Sequence, residues 1–152
     1  MCGRYRLTHV ERLAEKFEAI YGGSDVELAP RYNIEPTQPV AVVRAVESGR
    51  EITSIRWGLI PSWAKDTSAA QINARSETVL EKPAFRENFE RRRCLIPADG
   101  FFEWRRSGKL KQPFHFGMKD DSLFSFAGIW DRWKPPTGPF VESCETYMTG
   151  CR

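Results

Sequence analysis

The first apolar positions with a clear period predict a helix near the N-terminus. Apolar side chains recur from Val10 to Ile20 at spacings of three and four residues, which is the period of an amphipathic helix. Thr8 and Glu11 match a capping box, in which each side chain accepts a hydrogen bond from the other residue's backbone N–H. The glycines at positions 22 and 23 predict the end of this helix.

Apolar runs farther along the chain predict short strands. Val40 to Val46 and Ile52 to Trp57 flank the polar segment Glu47 to Arg50, a pattern typical of a hairpin. A second helix is predicted over Ala84 to Arg92, with Phe85 on its buried face. The remaining β-type runs, separated by Gly, Pro, Ser and Asp, are Cys94 to Pro97, Phe101 to Arg105, Pro113 to Gly117, Leu123 to Trp130 and Phe140 to Met148.

These elements predict the fold class. At least six strands and two helices indicate an α+β domain that consists mainly of antiparallel sheet and closes towards a barrel. The 152 residues match a single domain of about 150 residues, so we expect one domain over residues 1–152. The proline-rich segment Lys134 to Pro139 is expected to join two strands of that domain and not two domains.

Composition excludes several classes of protein. Hydrophobic residues make up 41% of the chain, with 10 Phe, 5 Trp and 4 Tyr, which is enough for a packed core and excludes a disordered chain. The longest uncharged apolar stretch, Leu123 to Trp130, is far shorter than the ~20 residues of a membrane-spanning helix. No apolar segment follows Met1, so we expect a cytoplasmic protein, associated with the nucleoid if bacterial. We also expect it to be monomeric. The net charge of +3 does not identify a partner.

The cysteines do not predict a metal site or a disulfide framework. Zinc ligands are usually paired two to four residues apart, whereas the closest cysteines here are Cys144 and Cys151. Only His9 and His115 could add histidine ligands to them. We therefore expect no metal and no cofactor, with Cys94 and Cys144 as buried structural thiols. His9 is expected on the helix surface and His115 in a strand. The four cysteines are Cys2, Cys94, Cys144 and Cys151.

Cys2 directly follows the initiator methionine, and a residue this small permits removal of Met1. The new N-terminus would be a 1,2-aminothiol, with reference pKa values of about 7.7 to 8.0 for the amine and about 8.5 for the thiol. Such a pair condenses with an aldehyde, the amine giving a Schiff base and the thiolate closing a thiazolidine ring. A small residue at position 2 is also consistent with N-terminal processing alone.

Five polar motifs, embedded in apolar strands, occur in order along the chain. Together they resemble the SRAP (SOS response-associated peptidase) family, whose members crosslink to abasic sites in single-stranded DNA. The resemblance extends from Met1 to about Ser143. The motifs are Met1-Cys2-Gly3-Arg4-Tyr5, Arg31-Tyr32-Asn33-Ile34-Glu35-Pro36-Thr37-Gln38, Trp57-Gly58-Leu59-Ile60-Pro61-Ser62-Trp63, Ile72-Asn73-Ala74-Arg75-Ser76-Glu77-Thr78 and Arg93-Cys94-Leu95-Ile96-Pro97-Ala98-Asp99-Gly100-Phe101-Phe102-Glu103-Trp104.

The resemblance implies three catalytic residues. Cys2 matches the cysteine that forms a thiazolidine with the ring-opened abasic sugar after Met1 removal. Asn73 matches the asparagine beside this cysteine, and Glu103 matches a catalytic glutamate that can move protons as general acid and base. From its residues alone, Glu103 could instead face solvent on a strand, alternating with Phe102 and Trp104. Asn73 could be a turn or cap residue.

The resemblance also implies DNA contacts. Arg75 and Thr149 match phosphate contacts, and Pro36 and Trp63 match side chains that lie against bases beside the lesion. Arg4 and Arg31 are further candidates, because planar guanidinium groups bind phosphates well. Arg75 could instead form a surface ion pair with Glu77, worth little. Tryptophans are more often core residues, and only the one at position 63 lies in a proline-flanked loop suited to stacking.

The match weakens towards the C-terminus. Family members usually continue beyond this length and carry a catalytic histidine in a His-x-Arg context, which neither histidine of this chain has. Glu142-Ser143-Cys144 fits the family, but Glu145 to Met148 is more polar than the apolar run expected there. The resemblance therefore predicts a domain that lacks its C-terminal portion. Slower crosslinking and an exposed sheet edge are the expected consequences.

Four functions remain open from the sequence. The first is covalent capture of abasic sites in single-stranded DNA. The others are a thiol peptidase that acts mainly on its own N-terminus, a noncovalent module that binds single-stranded DNA, and a folded remnant without activity. Only the covalent and peptidase functions require Cys2, so this residue separates them from the other two.

Overall fold

Two sheets, one of them closed into a barrel, organise the part of the chain that the structure describes. The computed structural model describes residues 2–23 and 28–148. The strands are β1 (Tyr5–Leu7), β2 (Ile20–Tyr21), β3 (Arg31–Ile34), β4 (Pro39–Val46), β5 (Gly49–Trp57), β6 (Asn73–Arg75), β7 (Arg93–Ala98), β8 (Gly100–Ser107), β9 (Leu110–Phe116), β10 (Phe124–Trp133) and β11 (Val141–Met148). The helices are α1 (Leu13–Phe17) and α2 (Pro83–Arg91), and 3-10 turns cover Val10–Arg12 and Thr67–Ala69.

The larger sheet closes on itself. Strands β5, β4, β7, β10 and β11 pair in that order, all antiparallel. Strand β11 then returns to β5 in parallel, with Ser143 opposite Arg56 and Cys144 opposite Trp57. The short strands β2 and β6 extend this sheet by parallel pairing to β5 and β11. The predicted α+β class with a mainly antiparallel, barrel-like sheet is confirmed.

The second sheet carries the N-terminal strand to the barrel. Its order is β3, β1, β8 and β9. Tyr5 of β1 is buried, and its ring packs edge-on against Trp57 at 5.3 Å and Phe126 at 5.9 Å between centroids. Because these two rings belong to barrel strands β5 and β10, residues 2–4 are held against the barrel.

Several local predictions are confirmed. Strands β4 and β5 form the expected hairpin, in which Val46 lies opposite Gly49. Helix α2 lies within one residue of its predicted bounds. The proline-rich segment connects β10 to β11, which pair in one sheet. Cys94 and Cys144 are buried in the core as free thiols, and burial raises the pKa of Cys94 to about 12.

The first helix is shorter than predicted. It begins as a 3-10 turn and α1 ends at Phe17, because Glu18 adopts the left-handed conformation with a φ of 49°. Ile20 and Tyr21, expected at the helix end, instead pair with β5 as β2 and are exposed. Pairing to a neighbouring strand therefore overrides the helical period over these residues.

The predicted capping box is wrong, because the first turn is capped from elsewhere in the chain. The hydroxyl of Thr8 donates to Oδ2 of Asp99 at 2.8 Å, and the backbone N–H groups of Thr8 and His9 donate to the same oxygen. Asp99 is fully buried where β7 turns into β8. Its carboxylate supplies the acceptor that Thr8 and Glu11 were expected to provide locally.

The described residues contain neither a membrane-spanning helix nor a cluster of metal ligands. None of the helices in the ranges 2–23 and 28–148 has the length and apolar character needed to cross a membrane. In those same ranges, no three His, Cys, Asp or Glu side chains are grouped so that they could hold a metal ion. Cys151 lies outside the described residues.

A buried carboxyl group lies on β11, on the side of the barrel that α2 covers. Glu145 is fully buried opposite Ile129, which belongs to an apolar cluster with Phe85 of α2. Neither carboxyl oxygen has a hydrogen-bond partner among the described residues. Burial raises the pKa of Glu145 to about 8, although the positive charge of Lys82 opposes the shift. The group therefore stays protonated at neutral pH.

Because the pKa of Glu145 is raised to about 8, we expect the free energy of unfolding to fall as the pH rises from about 5 to 8. In that interval the folded protein keeps a proton that the unfolded chain has released, so unfolding is favoured by up to about 1.4 kcal/mol per pH unit. Glu145→Gln should flatten this slope and raise stability at pH 8. Urea denaturation across the interval measures it, with the exposed Glu87→Gln as control. An unchanged slope in Glu145→Gln would refute the assignment.

Candidate active site

Cys2 lies where the N-terminal strand meets β8. Tyr5 is opposite Phe101 in the antiparallel register of β1 and β8, and the Arg4 carbonyl accepts the next backbone bond from β8, at 2.9 Å. Continuing this register brings Cys2 beside the segment that contains Glu103. Cys2 is 1% exposed, and its thiol donates to the Arg4 carbonyl oxygen at 3.1 Å.

Asn73 holds the backbone of Cys2. Its Nδ2 donates to the Cys2 carbonyl oxygen at 2.8 Å. Asn73 lies on β6 opposite Thr146 of β11, and the Thr146 hydroxyl donates to Oδ1 of Asn73. Because Thr146 uses the amide oxygen, the amide NH₂ group is directed towards Cys2. The turn or cap role that the sequence left open for Asn73 is therefore wrong.

Glu103 faces the core side of β8. Along this strand it shares a face with Phe101, whose ring packs against the buried Phe126 at 5.9 Å between centroids. Phe102 and Trp104 take the opposite face, and Trp104 is 42% exposed. Glu103 itself is half-buried. This burial argues against the alternative in which Glu103 faces solvent on the strand, alternating with Phe102 and Trp104.

The Cys2 thiol is kept neutral by its surroundings. Burial is the main cause of its raised pKa, and the negative charge of Glu103 raises the pKa further. A thiol in this state needs a proton acceptor before it can act as a nucleophile. The Glu103 carboxylate is therefore part of the electrostatic surroundings of Cys2.

Arg4 and Arg31, the two arginines predicted to bind phosphates, both have hydrogen-bond partners within the protein. The Arg4 guanidinium lies 3.0 Å from Oδ1 of Asn33 and 3.0 Å from Oε1 of Glu35. Arg31 donates to the Pro39 carbonyl oxygen at 2.6 Å and to Oε1 of Gln38. Arg31 thus stabilises the segment around Pro36, whereas Arg4 is paired with a carboxylate that a phosphate could replace.

Pro36 begins a strained turn. Thr37 has a φ of 76°, which is rare for a β-branched residue and costs on the order of 1–3 kcal/mol. The turn persists because the Thr37 N–H donates to the Trp57 carbonyl at 2.7 Å, while the Trp57 N–H donates to the Gln38 carbonyl at 2.9 Å. Pro36 is therefore presented on a rigid support beside β5.

Trp63 is exposed, as expected, with 66% of its surface accessible. The residues on either side of it are anchored: the Ser62 N–H donates to Oδ2 of Asp131 at 2.8 Å, and the Ala64 N–H donates to the Pro61 carbonyl at 2.9 Å. An exposed indole on an anchored loop can stack on a nucleobase.

Of the remaining residues considered in the sequence analysis, Arg75 lies on the strand of Asn73, whereas the two histidines lie elsewhere. Arg75 is exposed two residues after Asn73 on β6, on the same face of the strand. His115 lies in β9, as expected, with its ring 5.3 Å from that of Phe102. His9 contacts Asp121 at 2.9 Å, beyond the end of β1 that is far from Cys2. Thr149 lies outside the described residues.

Comparison with known proteins identifies the family. A family model described as SOS response associated peptidase (SRAP) matches residues 1–149. The chain belongs to the SRAP family. The match includes the Cys2, Asn73 and Glu103 positions, so this arrangement lies within the SRAP domain.

Curated relatives and solved structures agree with this assignment. The SRAP chain is 39% identical to "Abasic site processing protein YoqW" of Bacillus subtilis, over 98% of this chain and 68% of the relative. It is 30% identical to "Abasic site processing protein HMCES" of Xenopus tropicalis, over 77% and 44%. A solved Bacteroides thetaiotaomicron protein superposes with a TM-score of 0.86 at 28% identity, over 96% and 67%.

The SRAP motifs did not point to every residue of the site. Thr146 orients Asn73, but it lies in the segment after Cys144 that is more polar than the apolar run expected from the family resemblance. This polarity was itself the signal, since a buried hydroxyl in a strand needs a hydrogen-bond partner. Glu35, the partner of Arg4, lies within the second of the five motifs, but the resemblance did not predict a role for it.

Proposed function

We propose that this SRAP chain captures abasic sites in single-stranded DNA covalently. Cys2, exposed as the N-terminal residue after removal of Met1, forms a thiazolidine with the aldehyde of the ring-opened sugar, and the adduct shields the lesion. The hydrogen bond of 2.8 Å from Asn73 to the Cys2 carbonyl carries this proposal, because it fixes the backbone of the nucleophile. The names of the curated relatives, abasic site processing proteins, support DNA with abasic sites as the substrate.

The proposed chemistry balances without a cofactor. Removal of Met1 hydrolyses one peptide bond and consumes one water. The sugar hemiacetal opens when its anomeric hydroxyl loses a proton and the ring oxygen gains one. The Cys2 amine adds to the aldehyde carbon and the resulting carbinolamine loses water to give an imine. The thiol sulfur then adds to the imine carbon, and its proton passes to the ring nitrogen.

Glu103 is the proposed proton-transfer group. Ring opening, loss of water and thiol addition each move a proton, and one positioned carboxyl group can act as acid and base in turn. Its position on the core side of β8 and its effect on the pKa of Cys2 support this role. The thiol is neutral before reaction, so its proton must leave as the carbon–sulfur bond forms.

Noncovalent contacts would hold the strand. Trp63 would stack on a base and Pro36 would lie against a neighbouring base, because both are presented on anchored segments. Arg75 would contact a phosphate beside Asn73. Arg4 would exchange its Glu35 partner for a phosphate. Unpaired bases suit these contacts, since stacking requires an accessible base face.

Denaturing electrophoresis tests the proposal directly. Purified protein is mixed with single-stranded DNA that contains one abasic site, with intact DNA as the control, and intact mass establishes whether Met1 is removed. We expect a denaturation-resistant complex with the abasic strand alone. Ordinary binding without such a complex would favour the noncovalent module. Loss of Met1 that proceeds over time in the purified protein, without any adduct, would favour the self-acting peptidase.

A further inference from the structure

A groove begins directly beyond Pro36. Thr37, the next residue, lines an open groove of about 480 Å³ that runs along β5 and the start of β11. This volume lies in the range of ligand sites, about 300–1,000 Å³. The groove is thus continuous with the turn that presents Pro36. Its other lining residues are Pro39, Ser54, Ile55, Arg56, Arg132, Phe140, Val141 and Glu142.

The cations at this groove lack carboxylate partners. None of the ion pairs between described residues includes Arg56, Arg132 or Lys134. The carboxylate that lines the groove, Glu142, is 2.9 Å from the Arg44 guanidinium, which Glu51 also contacts at 2.6 Å. These three groups together carry one negative charge, against the three positive charges of the groove's cations. By contrast, Arg4, Arg6 and Arg92 each lie within 3.0 Å of a carboxylate, in the pairs Arg4–Glu35, Arg6–Asp99 and Arg92–Asp131. The groove therefore carries excess positive charge.

The positions of these cations are fixed by their contacts. Arg56 donates through Nη1 to the Thr37 carbonyl at 3.3 Å, and its buried Nε has no hydrogen-bond partner among the described residues. The Arg132 guanidinium lies 4.3 Å from the centroid of the Phe140 ring, and the Lys134 ammonium lies 5.1 Å from it. The ring thus holds two cations at the rim, so the groove is organised for an anion before any ligand binds.

We infer that this groove binds the phosphodiester backbone of the same DNA strand, a few nucleotides from the abasic site. The inference rests on the proposed function for the identity of the strand. Glu142 at the groove is four residues along β11 from Thr146, which orients Asn73, and four residues of strand span about 13 Å. A phosphodiester matches guanidinium and ammonium donors, and the shared Pro36–Thr37 turn gives the strand a continuous path.

Salt-dependent binding of intact DNA tests this inference without the covalent reaction. Fluorescence anisotropy measures the affinity of a long single-stranded oligonucleotide over a salt series. For Arg132→Gln/Lys134→Gln we expect weaker binding and a logarithmic salt slope smaller by about 1.4, or about 0.7 for each lost phosphate contact. The charge-retaining Arg132→Lys/Lys134→Arg should keep the slope. Lys16→Gln, on α1, is the matched control for the loss of an exposed cation.

A second set of strands tests the position of the groove. Each strand carries a tetrahydrofuran analogue of the abasic sugar, which has no aldehyde, at its 5′ or its 3′ end. Because the groove lies on one side of Cys2, the double variant should weaken binding of only one of the two. Wild-type affinity and slope in the double variant on every strand would overturn the inference. A lower slope without any denaturation-resistant complex would contradict only the covalent function.

Discussion

Cys2→Ala is expected to eliminate the denaturation-resistant complex with abasic DNA. Alanine at position 2 still permits removal of Met1, so the α-amine remains and can form an imine with the sugar aldehyde. An imine hydrolyses readily, whereas the thiazolidine of the parent protein has a second bond, from sulfur to the same carbon. Electrophoresis should therefore show no stable adduct for the variant, and borohydride reduction of the mixture should restore one by trapping the imine.

The matched control replaces a thiol that has no proposed role. Cys94→Ala removes a buried core thiol whose pKa is raised to about 12, at a stability cost on the order of 1 kcal/mol, and should crosslink like the parent. Affinity for intact single-stranded DNA should be similar in all three proteins. A stable adduct from Cys2→Ala without borohydride would show that the thiol is not part of the linkage.

Elements that depend on neighbours in sequence were predictable from the chain. The β4–β5 hairpin and α2 follow from local period and turn residues, and both occur as predicted. The burial of Cys94 and Cys144 follows from their places in apolar runs. These features need no information about distant parts of the chain.

Elements that depend on distant partners were not predictable. Asp99 caps the first turn from about 90 positions along the chain, and no local pattern indicates it. Ile20 and Tyr21 leave the helical period because β5 offers them hydrogen-bond partners. The parallel contact between β5 and β11 that closes the barrel likewise joins segments about 90 residues apart.

The residues of the candidate site were predictable from the sequence, whereas the contacts that orient them were not. The motifs singled out Cys2, Asn73 and Glu103, because the types and spacings of their residues are specific to the family. They did not predict that Thr146 would orient Asn73, since that hydrogen bond depends on the register of β6 and β11. The pairing of Arg4 with Glu35 similarly depends on how β1 and β3 meet.

Glu103→Gln is expected to slow crosslinking by about 10² to 10⁴, the range for loss of one general acid–base group. The amide keeps the size of the side chain but cannot accept the thiol proton. An opposing effect is present, since removing the negative charge lowers the raised pKa of Cys2. This effect is smaller, because burial and not Glu103 is the main cause of the shift. Single-turnover kinetics on abasic single-stranded DNA measure the rate.

The pH dependence distinguishes a proton-transfer role from a structural one. If Glu103 moves the thiol proton, the variant should regain part of its rate as the pH rises, because solvent then removes the proton that the side chain no longer accepts. Glu103→Asp should retain more activity than the amide, and Glu87→Gln, an exposed carboxylate on α2, should match the parent. A uniform loss at all pH values, together with weaker binding of intact DNA, would instead indicate that Glu103 supports the shape of the site.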